Sequence, residues 1–348
     1  MVTQSKDLCV ENFLTESKGH LLLDVRSESE YVKGHIPSAV NIALFDDEER
    51  KKVGTLYKKN SQKAAILAGL EFAGKKLRVI VEKVIKFNKG FDNPVYLYCS
   101  RGGMRSSSVA WLLSTSNFNV FRLESGYKAY RNHVLNLFKE DFKFIVLGGK
   151  TGSGKTEILK NMLELGEQII DLEGIACHKG SAFGHLGQNI QPSNQQFENN
   201  LATELEAQDI KKDIWLEDES PGIGSVFIPY DIRAHISKAP VVNIHLPFEE
   251  RKKRILREYG EFDVEMLIEK TERIQKRLGR ENCILVSDLL KKGVIADAVD
   301  ILLRYYDKGY EFALNKTHGS KNIFDIPLEY DRPYENAEKI ISFYRNCL

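Results

Sequence analysis

The sequence is poor in the residues that cross-link a chain or carry it through a membrane. Its 348 residues include five cysteines, at 9, 99, 177, 283 and 347, an odd number with no C-x-x-C pair. That count excludes a disulfide framework, and the histidines do not complete zinc-finger spacing. Only 9 prolines and 25 glycines occur, which excludes collagenous and low-complexity chains. No apolar run approaches the roughly 18 residues of a membrane span, so no membrane partner is expected. The opening M-V-T-Q-S-K-D-L-C-V lacks the basic start and apolar stretch of a signal peptide. An excess of one charge is missing too. Lys and Arg total 50 against 49 Asp and Glu, which excludes a globally basic nucleic-acid binder and leaves a local basic face open. A reduced, cytoplasmic protein of two domains is expected.

What is present is α/β alternation, twice. Leu21–Val25, Val95–Cys99 and Val120–Leu123 read as strands, with helices over Ser106–Leu113 and Lys128–Phe138. The charged run K-E-D-F-K at 139–143 separates these from a second series: Phe144–Leu147, Gln168–Asp171, Ile214–Glu217 and Val241–Leu246. Helices are expected to begin near Lys155, Phe248 and Asp263. Such alternation implies parallel strands with crossover helices. The expected organisation is an N-terminal parallel-sheet domain over 1–140 and an α/β domain over 141–348 with a helical C-terminal part. Gly180–Gln196, rich in Gly, Ser, Asn and Gln, reads as a long functional loop.

Two motifs sit at strand-to-helix junctions. The first is C-S-R-G-G-M-R-S from Cys99. A thiol there faces unpaired backbone N–H groups and the positive end of a helix, both of which favour thiolate. Gly102 and Gly103 let the loop curl around one anion, and Arg101 and Arg105 add fixed positive charge. The C-x5-R spacing also suits a cysteine-dependent phosphatase. The second is G-K-T-G-S-G-K-T at 149–156, a phosphate loop. Gly149, Gly152, Ser153 and Gly154 form the cradle, Lys155 neutralises charge, and Thr156 can hold Mg2+. No bound organic cofactor is expected. The loop specifies a diphosphate but not a base.

A third, polar stretch, D-L-E-G-I-A-C-H-K-G-S-A-F-G-H at 171–185, reads as one Gly-punctuated loop and is followed by Q-Q-F-E-N at 195–199 and L-E-D-E-S at 216–220. Asp171, Glu173, His178, Ser181, Phe183, Glu217, Asp218 and Ser220 are its candidates for magnesium or substrate contact. From Glu249 to Arg280, ten basic residues face eight acidic ones, and a solvated helix surface explains that balance.

D-V-R-S-E-S-E-Y-V-K-G-H-I-P-S-A-V-N-I at 24–42 resembles the opening signature of a rhodanese domain. The resemblance places Cys99 at the family's persulfide-forming cysteine and makes Asp24, Arg26 and His35 architectural. L-E-S-G-Y at 123–127 departs from its usual paired glycines at Ser125. The C-terminal half resembles a P-loop NTPase-like domain. The four motifs in this order, with Y-Y-D-K-G-Y at 305–310, are together similar to the tRNA 2-selenouridine synthase family.

That resemblance implies a transferase with selenotransferase and geranyltransferase activity. It would act on tRNA carrying 2-thiouridine at the wobble position (U34), in tRNAs for Lys, Glu and Gln. Geranyl diphosphate would alkylate the sulfur, and selenium from selenophosphate would then replace it to give 2-selenouridine. The phosphate loop would hold the diphosphate, and Cys99 with its arginines would bind selenophosphate and carry selenium. The selenophosphate synthase is a further expected partner. The alternatives are a nucleotide-dependent kinase or cysteine phosphatase with a rhodanese-like domain, and a non-catalytic anion or redox sensor.

Overall fold

In a computed structural model of the chain, residues 5–260, 262–318 and 322–347 are described. They divide into two compact units, one of residues 1–137 with 198–200 and the other of 138–197 with 201–348.

The first unit is built on five parallel strands: β1 (Lys6–Leu8), β2 (Leu21–Asp24), β3 (Val40–Asn41), β4 (Val95–Tyr98) and β5 (Val120–Leu123). Their order is β1-β5-β4-β2-β3, so β4 lies at the centre. A parallel sheet is covered on both faces, which requires strands apolar throughout rather than alternating. Val95–Tyr98 is accordingly buried at every position. Helices Met104–Thr115 and Gly126–Leu137 follow β4 and β5. Val109, Ala110 and Leu113 of the first pack with Leu97, Val95 and Leu23 in the core.

The second unit repeats the principle with β6 (Lys143–Gly149), β7 (Gln168–Ile170), β8 (Asp213–Glu217), β11 (Val241–His245) and β12 (Ile323–Pro327). All pair in parallel in the order β12-β11-β6-β8-β7, with β6 central. A small antiparallel hairpin, β9 (Gly222–Ile223) and β10 (Val226–Phe227), lies outside this sheet. Trp215, Ile145, Leu147, Ile158 and Met162 fill the core with Ala337 and Ile340 of the C-terminal helix Pro333–Cys347.

Each strand read from the sequence is present within a residue or two. Two readings need correction. The stretch Asp171–His185 is not one loop, because Leu172–Ala176 is a short helix whose N-cap, Asp171, accepts from the Gly174 amide at 2.6 Å. The polar loop also ends sooner than Gln196, because Ser193 caps a helix over Asn194–Glu206 by accepting from the Gln196 amide. Three further helices, Asp47–Lys59, Gln62–Gly74 and Leu77–Asn88, occupy the connection between β3 and β4. Their first two N-caps are Asp46 and Ser61.

Candidate active site

Both motifs stand at the carboxyl end of the central strand of a five-stranded parallel sheet, where α/β folds bind ligands.

The Cys99 loop runs directly from β4 into helix Met104–Thr115. Cys99 is buried. Its Sγ is 3.2 Å from Ser106 Oγ, and Ser106 Oγ in turn donates to Gly103 O at 3.0 Å. Burial opposes ionisation of the thiol. Hydrogen bonds from Ser106 and the Arg101 amide, with the charge of Arg105, outweigh it and bring the pKa below the usual thiol range. The two arginines differ. Arg105 donates to both carboxylate oxygens of Glu30, at 2.6 and 3.2 Å, and Glu30 also accepts from Ser100 Oγ. Although burial would raise it, Glu30 is lowered to about 2 by this pairing. Arg101 is exposed. The charge that steadies the loop is therefore Arg105, and the charge facing solvent is Arg101.

Backbone geometry explains the glycines here. A Cβ on Gly126 would lie 2.2 Å from Cys99 O and 2.6 Å from the Gly102 amide, and one on Gly102 would lie 2.8 Å from the Ser125 amide. The 123–127 turn thus presses on the Cys99 loop, and the Tyr127 amide donates to Cys99 O at 2.8 Å. Ser125 sits at φ 57°, in left-handed space that disfavours a side chain. Asp24 and Arg26 form a buried ion pair, with Arg26 also donating to Gly34 O and lying over the Tyr127 ring at 3.9 Å. His35 stacks on Tyr31 at 3.8 Å. All three hold the framework.

The phosphate loop leaves β6 and enters helix Lys155–Glu164. Gly152 and Gly154 have φ of 78° and 80°, and a Cβ on Gly154 would meet the Arg254 guanidinium at 2.9 Å. Lys155 Nζ donates to Gly149 O at 2.9 Å. Ser153 Oγ is buried without a partner among the described residues. Residues from the 305–310 motif brace this loop. Tyr310 Oη accepts from the Gly149 amide at 2.7 Å and donates to Asn243 Oδ1 at 3.1 Å. Asp307 pairs with both ends of the Arg251 guanidinium, which also donates to Thr151 O. Helical spacing places residues 307 and 310 on one face, and that is the signal the sequence offered.

Beside the loop, Thr156 Oγ1 donates to Glu173 Oε2 at 2.9 Å. Glu219 interacts with Glu173, and burial together with that neighbouring charge raises its pKa. Glu217 is fully buried and accepts from the Leu172 amide at 3.0 Å. Burial, then the nearby Asp171 and Glu173, push its pKa upward. Asp218 interacts with Tyr310. No cluster of three His, Cys, Asp or Glu suited to a metal exists among the described residues. The hydroxyl of Thr156 and the carboxylate of Glu173 are hard oxygen donors, and they fit a magnesium ion held mainly by substrate phosphates. Of the other candidates, Phe183 packs into a core with Leu267, Ile268 and Val286, and Ser181 accepts from the Phe183 amide. His178 is buried with Nδ1 unpartnered among the described residues, and burial lowers its pKa. Ser220 is exposed.

Residues 10–133 match the family model of the rhodanese-like domain, and residues 142–325 match that of the "tRNA 2-selenouridine synthase AAA domain". A protein named tRNA 2-selenouridine synthase from Pseudomonas fluorescens Pf0-1 is 36% identical, over 86% of this chain and 89% of its own. One from Sulfurovum sp. NBC37-1 is 34% identical, over 85% and 89%. This chain belongs to the tRNA 2-selenouridine synthase family. Another member, from Psychromonas ingrahamii, is 31% identical over 85% of this chain. The family's rhodanese-like half therefore carries Cys99, and its AAA half carries the phosphate loop, the Thr156–Glu173 pair and the bracing face of residues 307 and 310.

Proposed function

We propose that this chain converts wobble 2-thiouridine of tRNA to 2-selenouridine through an S-geranyl intermediate, in tRNAs for Lys, Glu and Gln. The observation that supports the reading is a pair of glycine-rich strand-to-helix loops, each at the end of a central strand, one with a cysteine hydrogen-bonded to Ser106 and one with a lysine but no nucleophile. The cradle without a nucleophile suits a diphosphate that only departs. The base sulfur attacks the first carbon of geranyl diphosphate, the C–O bond breaks, and the loop amides with Lys155 receive the leaving diphosphate. Thr156 and Glu173 would hold a magnesium ion, which would supply further positive charge.

Alkylation converts the sulfur at carbon 2 into a thioether, which leaves as a thiolate. Selenium in selenophosphate is already at the selenide level, so moving it onto a cysteine sulfur would require an oxidant. Attack of the Cys99 thiolate at phosphorus requires none. It forms a phosphocysteine and, with one proton, hydrogen selenide ion. Selenide adds at carbon 2 and expels geranyl thiolate, and water then cleaves the phosphocysteine to phosphate. The exposed Arg101 meets the phosphoryl oxygens, while Arg105, engaged by Glu30, keeps the loop in shape.

Nucleoside mass spectrometry of 2-thiouridine tRNA tests the order. The wild-type chain is expected to form 2-selenouridine from selenophosphate only when geranyl diphosphate and magnesium are also supplied. Product formed without geranyl diphosphate, or with ATP in its place, would contradict the reading.

A further inference from the structure

The near-neutral net charge of the chain conceals a strong local imbalance. From Asp47 to Lys89, covering the three helices between β3 and β4, there are twelve Lys or Arg and five Asp or Glu. This 43-residue segment carries a surplus of seven positive charges, so the rest of the chain is negative by six. Ion pairs account for only part of the surplus. Arg50 lies near Glu30, Lys75 near Glu71, Lys76 near Asp46 and Glu49, and Arg78 near Glu82. Lys51, Lys58, Lys59, Lys83, Lys86 and Lys89 are exposed and have no ion pair among the described residues.

Aromatic side chains stand among these cations. Tyr57, beside Lys58 and Lys59, is 55% exposed, and Phe87, beside Lys86, is 49% exposed. Exposed rings interleaved with unpaired cations suit a nucleic acid, whose phosphates take the charge and whose unpaired bases stack. A groove of about 580 Å³ opens along the first helix; Arg50, Lys51, Lys58 and Lys59 line it together with the acidic Asp47, Glu48 and Glu30. Glu30 is the residue that holds Arg105 and Ser100 of the Cys99 loop. The basic surface and the candidate selenium site are thus connected within one unit.

We propose that helices Asp47–Lys59, Gln62–Gly74 and Leu77–Asn88 form the surface that docks the tRNA phosphate backbone. The inference rests on the tRNA substrate proposed above and adds where that substrate is held. The lysines contribute charge and long reach, and Tyr57 and Phe87 contribute stacking. An acidic protein would also meet the charge, but it gives no account of the exposed rings.

The test is fluorescence anisotropy of the full chain with an unmodified transcript of a lysine tRNA, at 50 to 200 mM KCl. One variant combines Lys58→Ala, Lys59→Ala, Lys83→Ala and Lys86→Ala. A control removes four exposed cations from the second unit, with Lys276→Ala, Arg277→Ala, Lys291→Ala and Lys292→Ala. The first variant is expected to bind at least about 10-fold more weakly, with a log–log salt slope shallower by about three, at roughly 0.7 to 0.9 per phosphate contact. The control is expected to stay within about threefold of wild type, and both should keep the wild-type circular dichroism. Equal losses in the two variants, or no loss in the first, would overturn the docking surface while leaving the functional reading intact. So would a first variant that keeps its tRNA affinity but loses binding to phosphatidylserine vesicles. A wild-type chain that fails to bind tRNA at 50 mM KCl would overturn both.

Discussion

Replacing Ser106 with alanine should raise the pKa of Cys99 by about one unit. The Ser106 hydroxyl lies 3.2 Å from Cys99 Sγ and 3.0 Å from Gly103 O. In the thiolate state its single proton turns to the sulfur. In the thiol state the S–H turns to Ser106 Oγ, and the hydroxyl donates to Gly103 O. Only the first arrangement is charge-assisted; such a bond is worth about 2 to 3 kcal/mol, and the neutral bonds lost from the thiol state offset about 1 kcal/mol of it. One pKa unit corresponds to 1.36 kcal/mol, which gives the expected rise. The opposite sign should come from Glu30→Gln, which removes the carboxylate that neutralises Arg105 and leaves that guanidinium to favour the thiolate. Thiolate absorbance near 240 nm, followed against pH and corrected with Cys99→Ala, reads both midpoints. An unchanged or lower midpoint in Ser106→Ala would refute the claim that the hydroxyl stabilises the thiolate.

Two further outcomes follow from the same unit. Ser125→Gly should stabilise it by about 0.5 to 1 kcal/mol, because φ 57° penalises a side chain, and the gain is net of the glycine's larger unfolded-state entropy; a fall in the thermal midpoint would contradict the strain. Glu30, lowered to about 2 in the fold, contributes stability that is fully present above its unfolded pKa and is lost as pH falls from about 4.5 toward 2. Because the carboxylate is partly exposed, solvent screening reduces the contribution to about 1 to 2 kcal/mol. Glu30→Gln should therefore be less stable than wild type at pH 7, and chemical denaturation should show the difference closing by pH 2.

The central strands were legible from the sequence because a parallel sheet demands unbroken apolar runs, and V-Y-L-Y-C and F-I-V-L end directly in their functional loops. Both loops were legible for the same reason, since glycine and fixed charge at a strand end have few structural uses. Glu30 went unassigned although it lies in the quoted 24–42 motif, because its partner Arg105 is 75 residues distant. The spacing of Asp307 and Tyr310 puts both on one helix face, but their partners Arg251 and Gly149 lie 56 and 161 residues away, and no local pattern names those partners. The helices at 47–88 were missed for another reason. Their exposed apolar residues, among them Leu67 and Leu70, blur the helical period on which such readings depend. Helix Leu172–Ala176 is only five residues long, too short for periodicity to register, so its glycine and polar neighbours read as loop.

The measurement closest to the account's core is nucleoside mass spectrometry of 2-thiouridine tRNA incubated with Lys155→Ala and with Cys99→Ala, each given geranyl diphosphate, magnesium and selenophosphate. The account predicts that Lys155→Ala leaves 2-thiouridine largely unreacted, and that Cys99→Ala accumulates the S-geranyl nucleoside with no selenium. Selenouridine formed at the wild-type rate by Cys99→Ala, or geranylation undiminished in Lys155→Ala, would contradict the division of labour between the two cradles.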